Sequence, residues 1–215
     1  MSFLSIISKN AIVYLFCSKK SSCNRDGQYC KFLQDFLPEN LASAVYRRRI
    51  YGEEHLGTIW IMADLGRLYC SLSRYDEAES LFDKALCTAR RVLGNTHFLS
   101  TYSLYGLGTM YLTQGQYDQA KPLLEESLEI TSGLFGGDHP LTLQIINDLG
   151  VLHRGQGQYV EAESLLRQAL DGRQSKLGND HPACFESMHE LAMLYKVQER
   201  YEEAECACQA KMGPL

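Results

Sequence analysis

Apolar residues recur along this chain in two helical patterns that alternate and repeat. Leu65, Leu107, Leu149 and Leu191 stand 42 residues apart, each followed by a small residue at Gly66, Gly108, Gly150 and Ala192. Four positions after each leucine come Tyr69, Tyr111, His153 and Tyr195. Positions i, i+1 and i+4 share one face of a helix, so each block predicts a first helix. A second stripe follows: Tyr75, Ala78, Leu81, Phe82 and Ala85 in the first copy, with tyrosine again at 117, 159 and 201 and alanine at 120, 162 and 204. The period-2 alternation of a half-buried strand is absent, so an all-α chain is expected.

Between the two helices of each copy lie "SLSR", "LTQGQ", "RGQGQ" and "KVQER", short polar turns in which Gly115 and Gly157 suit a positive φ at a helix end. The glycine and alanine columns let two helix backbones approach closely. Each copy is thus an antiparallel helix pair, and a period of 42 lies in the range of stacked helical arrays.

Four histidines share the register: His55, His97, His139 and His181. A zinc ion would need its ligands at about 2.0–2.1 Å, whereas packed helices sit about 8–10 Å apart. This column cannot share one ion. "GDHP" and "NDHP" instead suit a turn that ends one helix at glycine and starts the next with proline in its first position. A polar side chain there satisfies free backbone groups. His153 and His189 fall inside first helices, His153 at a packing position and His189 facing outward.

Charge and chemistry narrow the function. The net charge of −5 gives no basic footprint for nucleic acid. Eight cysteines include no CxxC pair, which predicts reduced thiols and a cytoplasmic protein. The apolar run "AIVYLFC" is too short to span a bilayer, and the start of the chain lacks a signal-peptide pattern. There is no GxxxxGK[ST] loop, GxSxG elbow or HExxH helix, so neither catalysis nor a cofactor or metal is expected.

The columns Leu-Gly-x-x-Tyr, Gly-x-Tyr and Ala resemble the tetratricopeptide repeat family. The 42-residue unit with "LG-x-x-HP-x-T" between copies is similar to its kinesin light chain and nephrocystin-like type. The resemblance implies a right-handed superhelical solenoid of antiparallel helix pairs, with repeats at 53–94, 95–136, 137–178 and 179–215, the last truncated. Residues 31–52, where "ASAVYRRRIYGEEH" matches "LCTARRVLGNTH" one period on, form a degenerate half-repeat helix, and 1–30 a poorly structured segment. Repeat one has "EEHLGT" in place of the proline turn, and Cys208 and Lys211 replace apolar or small residues in repeat four, so a short, weakly packed last helix is expected. Open ends of this kind suggest a piece of a longer array.

In the family, the groove is lined by fixed positions of the first helices. Here they include Trp60, Arg67, Tyr102, Tyr105, Asn147, Arg154, His189 and Lys196, which vary from copy to copy while the packing columns repeat. The resemblance implies a non-catalytic scaffold that binds a protein or peptide. Trp60, Tyr102 and Tyr105 would be apolar anchors unless they cover a neighbouring helix, and Arg67, Arg154 and Lys196 would favour acidic groups. An alternative is the regulatory or sensor tail of an NB-ARC or NACHT-type signalling protein.

Overall fold

A computed structural model describes residues 28–209 of the chain; the segment 1–27, most of the N-terminal stretch expected to be poorly structured, lies outside the described residues, as do 210–215. The first described helix begins at Gln28. Among the described residues there are nine helices and no strand: α1 Gln28–Tyr51, α2 Leu56–Ser71, α3 Tyr75–Leu93, α4 Phe98–Thr113, α5 Tyr117–Phe135, α6 Pro140–Gly155, α7 Tyr159–Leu177, α8 Pro182–Val197 and α9 Tyr201–Gln209. Two compact units divide the chain within α3, at Leu81/Phe82.

In the first unit α2 buries Ile59, Ile61, Ala63, Leu65, Leu68 and Tyr69, and α1 packs along it. In the second unit the small-residue columns work by contact. A Cβ added at Gly150 would sit 2.7 Å from Leu166 of α7, and one at Gly108 3.0 Å from Leu124 of α5. Each first helix therefore lies against its own second helix with leucine filling the notch. Tyr105, Leu124, Ile145, Leu149 and Leu152 form one core cluster across α4, α5 and α6, and Leu166, Leu191, Leu194 and Tyr195 form the next across α7 and α8. Buried hydroxyls on these helices fold back on their own backbone: Ser103 donates to the Leu99 carbonyl at 2.9 Å and Thr131 to that of Ser127 at 2.8 Å. That lets a polar side chain enter the core without a partner on another helix.

Both turns of the repeat are closed by hydrogen bonds that recur every 42 residues. Within each pair the chain passes through one left-handed residue, at Ser73, Gly115, Gly157 and Glu199. The amide three residues after the helix end then donates five residues back, from Arg74 to Tyr69, Gln116 to Tyr111, Gln158 to His153 and Arg200 to Tyr195, each at 2.9 Å. This is the Schellman closure, which uses carbonyls that the helix end leaves open. Side chains reinforce it at both outer copies, where the guanidinium of Arg74 lies 4.5 Å over the Tyr69 ring and that of Arg200 4.5 Å over Tyr195.

Between pairs, Gly52, Gly94, Gly136 and Gly178 all take a positive φ, and three residues later stands the histidine. Each histidine is the N-cap itself. Nδ1 of His55, His97, His139 and His181 accepts the backbone N–H two residues on at 3.0, 3.1, 3.2 and 3.1 Å. His55 does so without a following proline, so "EEHLGT" makes the same start as "GDHPLT". A second side chain completes the turn: Ser100, Thr142 and Cys184 donate to the carbonyls of Gly94, Gly136 and Gly178 at 2.7, 2.9 and 3.2 Å.

These turns make two predictions. His139→Ala removes an N-cap and should cost about 1 kcal/mol, read as a fall of roughly 2–4 °C in the midpoint of thermal unfolding; His139→Asn should retain most of it. Glu199→Gly replaces a side chain held at φ 60° and should raise stability by about 0.5–1 kcal/mol, measured as the urea midpoint at unchanged slope.

Candidate partner-binding face

The positions singled out in the first helices separate into three environments. On α2, in the first unit, Trp60 keeps 39% of its surface exposed and its indole N–H donates to Asp64 at 2.8 Å, one helical turn on. Arg67 is half-buried, one turn further along the helix.

On α4 and α6, in the second unit, most of the singled-out residues join helices to one another. Tyr102 is buried and stacks on Phe98 at a centroid distance of 5.8 Å. Tyr105 is buried and donates its hydroxyl to Asp148 of α6 at 2.6 Å. Asn147 is buried and accepts the Ser187 hydroxyl of α8 at 2.9 Å. Arg154 donates to Glu190 of α8 at 2.7 Å. Tyr105 thus reaches a neighbouring helix, whereas the Tyr102–Phe98 stack lies within α4. His189 and Lys196 of α8, in contrast, are exposed.

The physical reason is the repeat itself. Position 105 in one copy and 147 in the next face the following first helix. The same position on α8, His189, has no following first helix among the described residues.

A buried guanidinium organises the α6–α8 junction. Arg173 of α7 is 1% exposed, at the place where the previous copies have Ala89 and Thr131. It donates to the Ala183 carbonyl and the Ser187 hydroxyl, both at 2.7 Å, and to the Gln144 side-chain carbonyl at 2.6 Å. Glu186 lies 3.4 Å away as its counter-ion, and the Gln144 amide donates to Asp148 at 3.2 Å. The cluster fixes α6, α7 and α8 together through bonds from both terminal nitrogens of Arg173. Sequence reasoning passed over Arg173 and Asp148; the only signal was an arginine where the two preceding copies have Ala89 and Thr131.

Desolvation dominates the two carboxyls of this cluster. Burial raises Asp148 to about 6 against the opposing pull of Tyr105 and Arg173. It raises Glu186 to about 7 against the opposing charge of Arg173. On the other side of the unit, Glu163 moves the opposite way, because Arg200, Arg167 and Tyr195 donate to it and favour its charged form.

The Tetratricopeptide repeat model matches residues 40–91, 67–130, 99–175 and 152–208. The chain belongs to the tetratricopeptide repeat family. Among solved structures, a Podosopora anserina kinesin light chain-type protein of nearly identical TPR-like repeats aligns over 96% of this chain and 93% of its own, at 22% identity and a TM-score of 0.67. BtubC (BKLC) from P. vanneervenii aligns over 85% of this chain and 75% of its own, at 21% identity and a TM-score of 0.70. Among curated proteins none matches. At these identities the structural likeness carries the fold, an all-α tetratricopeptide array. The family as a whole supplies protein-interaction scaffolds. None of the described helices is long and apolar enough to cross a membrane.

The raised carboxyls generate a pH prediction. Between about pH 4 and 7 the folded tetratricopeptide array holds protons on Asp148 and Glu186 that the unfolded chain has released, so stability falls as pH rises through that window. Glu163 contributes in the opposite sense, its stabilisation present above the ordinary carboxylate range and lost as pH falls through its lowered value. Urea midpoints measured from pH 5 to 8 should decline for the wild type, and Asp148→Asn/Glu186→Gln should flatten the profile.

Proposed function

We propose that this chain is a non-catalytic, cytoplasmic scaffold that holds a partner peptide or helix along the exposed parts of its first helices. The observation that carries this reading is the contrast between two kinds of position. Leu149 and Gly150, like their counterparts one period away, repeat because they pack one helix pair. The remaining first-helix positions change from copy to copy: Arg67, Thr109, Val151 and Met193 stand at one phase, and Cys70, Leu112, Arg154 and Lys196 at another.

Trp60 supplies the apolar anchor on α2: a large ring, partly open, already oriented by its bond to Asp64. Tyr105 and Asn147 support the surface from beneath, since their contacts hold α4, α6 and α8 in place. An acidic group of the partner would meet Arg67. Arg154 would take part only by exchanging Glu190 for the partner's carboxylate.

Trp60 is the chain's single tryptophan, so its fluorescence reads this site alone. Partners captured from cell extract and then purified should shift its emission on titration. Trp60→Ala/Arg67→Ala, with helicity confirmed by circular dichroism, should weaken that binding by about tenfold or more. Asp118→Ala/Glu161→Ala, on outward second-helix positions, should leave it unchanged. Equal binding by wild type and the Trp60/Arg67 variant would remove the first helices as the binding surface.

A further inference from the structure

Among the described residues, the second unit covers the same helix-pair surface twice, while the third copy of that surface is exposed. On α4 and α5 the surface is closed by α6, where Tyr105 meets Asp148 and Tyr117 packs into the shared core. On α6 and α7 it is closed by α8 and the turn after it. There Asn147 meets Ser187, Arg154 meets Glu190, Tyr159 packs against the Leu191–Leu194–Tyr195 cluster, and Glu163 holds Tyr195 and Arg200.

One period on, the corresponding residues of α8 and α9 are His189, Lys196, Tyr201 and Glu205, all exposed. Tyr201 has 59% of its surface open, and Met193 and Val197 between them 37% and 52%. This face repeats the chemistry of the inter-repeat interfaces: an apolar centre with a cation on one side and a carboxylate on the other.

We propose that the α8–α9 face docks an amphipathic helix of first-helix pattern whose carboxylate pairs with Lys196. Continuity with the two closed copies and the charge of Lys196 define that occupant. The helix carries a small hydroxyl or amide residue to face His189 and an acidic residue three positions later for Lys196. Leucines one and four positions beyond that acid lie over Met193, Val197 and Tyr201, and an aromatic residue follows the second leucine. Burial of Tyr201, Met193 and Val197 drives the contact, and the Lys196 pair sets its register. Tyr201 belongs to α9, a second helix, so Tyr201→Asp tests this face without altering Trp60 or Arg67.

The probe is a synthetic, N-acetylated peptide with the sequence of residues 182–200 carrying Cys184→Ser, since α8 is the helix that closes the equivalent face of α6 and α7. Binding to the full chain is followed by fluorescence anisotropy of the labelled peptide, with oligomeric state measured by sedimentation. Saturable binding is expected. Lys196→Glu in the chain should weaken it about tenfold, and a peptide with Glu190→Lys should restore binding to that variant. Tyr201→Asp should abolish binding while the far-ultraviolet circular dichroism stays helical. No binding to the wild type, or equal binding to wild type and Lys196→Glu, overturns the proposal. So does a dimer of the chain alone that Tyr201→Asp dissociates, because the occupant would then be a second copy.

Discussion

Every helix pair in this protein depends on reversing the chain twice without leaving buried backbone groups unpaired. A helix end exposes carbonyls and a helix start exposes amides, and both lie here beside a packed core. At one turn the Schellman bond consumes the open carbonyls; at the other a left-handed glycine ends the helix and the Nδ1 of a histidine takes an amide of the next. The entry angle of each helix follows from those bonds. So does the placement of Gly150 against Leu166, and through it the register in which one pair meets the next. The repeated histidine therefore has a structural use at all four places, with its ring nitrogen facing backbone N–H.

Packing between consecutive pairs uses two chemistries. The α4–α6 junction is mainly apolar, with one phenol-to-carboxylate bond from Tyr105 to Asp148. The α6–α8 junction adds a buried ionic cluster around Arg173. Such a cluster contributes less through net attraction than through selectivity of fit, because an unmatched partner would leave a desolvated charge. Its carboxyls, Asp148 and Glu186, are both pushed up by burial, which ties the tightness of this junction to pH. Arg173 thus makes the third and fourth pairs a specific match in an array whose other columns are nearly interchangeable.

The fold was legible in the residues because it is written four times. Leu149, Gly150, Tyr159 and Ala162 each have partners at the same phase in other copies, and a common phase over four periods specifies helix pairs and their order of packing. The turn role of His139 was legible as well, since one ion cannot reach ligands on four stacked units. The atom that performs it was not: a sequence shows that "GDHP" is a turn, whereas only the backbone path shows that the imidazole nitrogen is the cap.

For the candidate binding face the division falls elsewhere. The sequence by itself determined which positions repeat and which vary, because packing needs identical neighbours and an outward surface does not. Whether a varying residue is open or closed depends on which helix packs beside it. Tyr105 and Asn147 are enclosed by the next first helix, while His189, at the same phase, is open; Arg154 is held by Glu190, a residue 36 positions away. Arg173 follows Ala89 and Thr131 at its phase, and its bonds to Ala183, Ser187 and Gln144 come from two other helices. Tertiary structure decided these points, since burial and ion pairing are properties of neighbours brought together by folding and not of position along the chain.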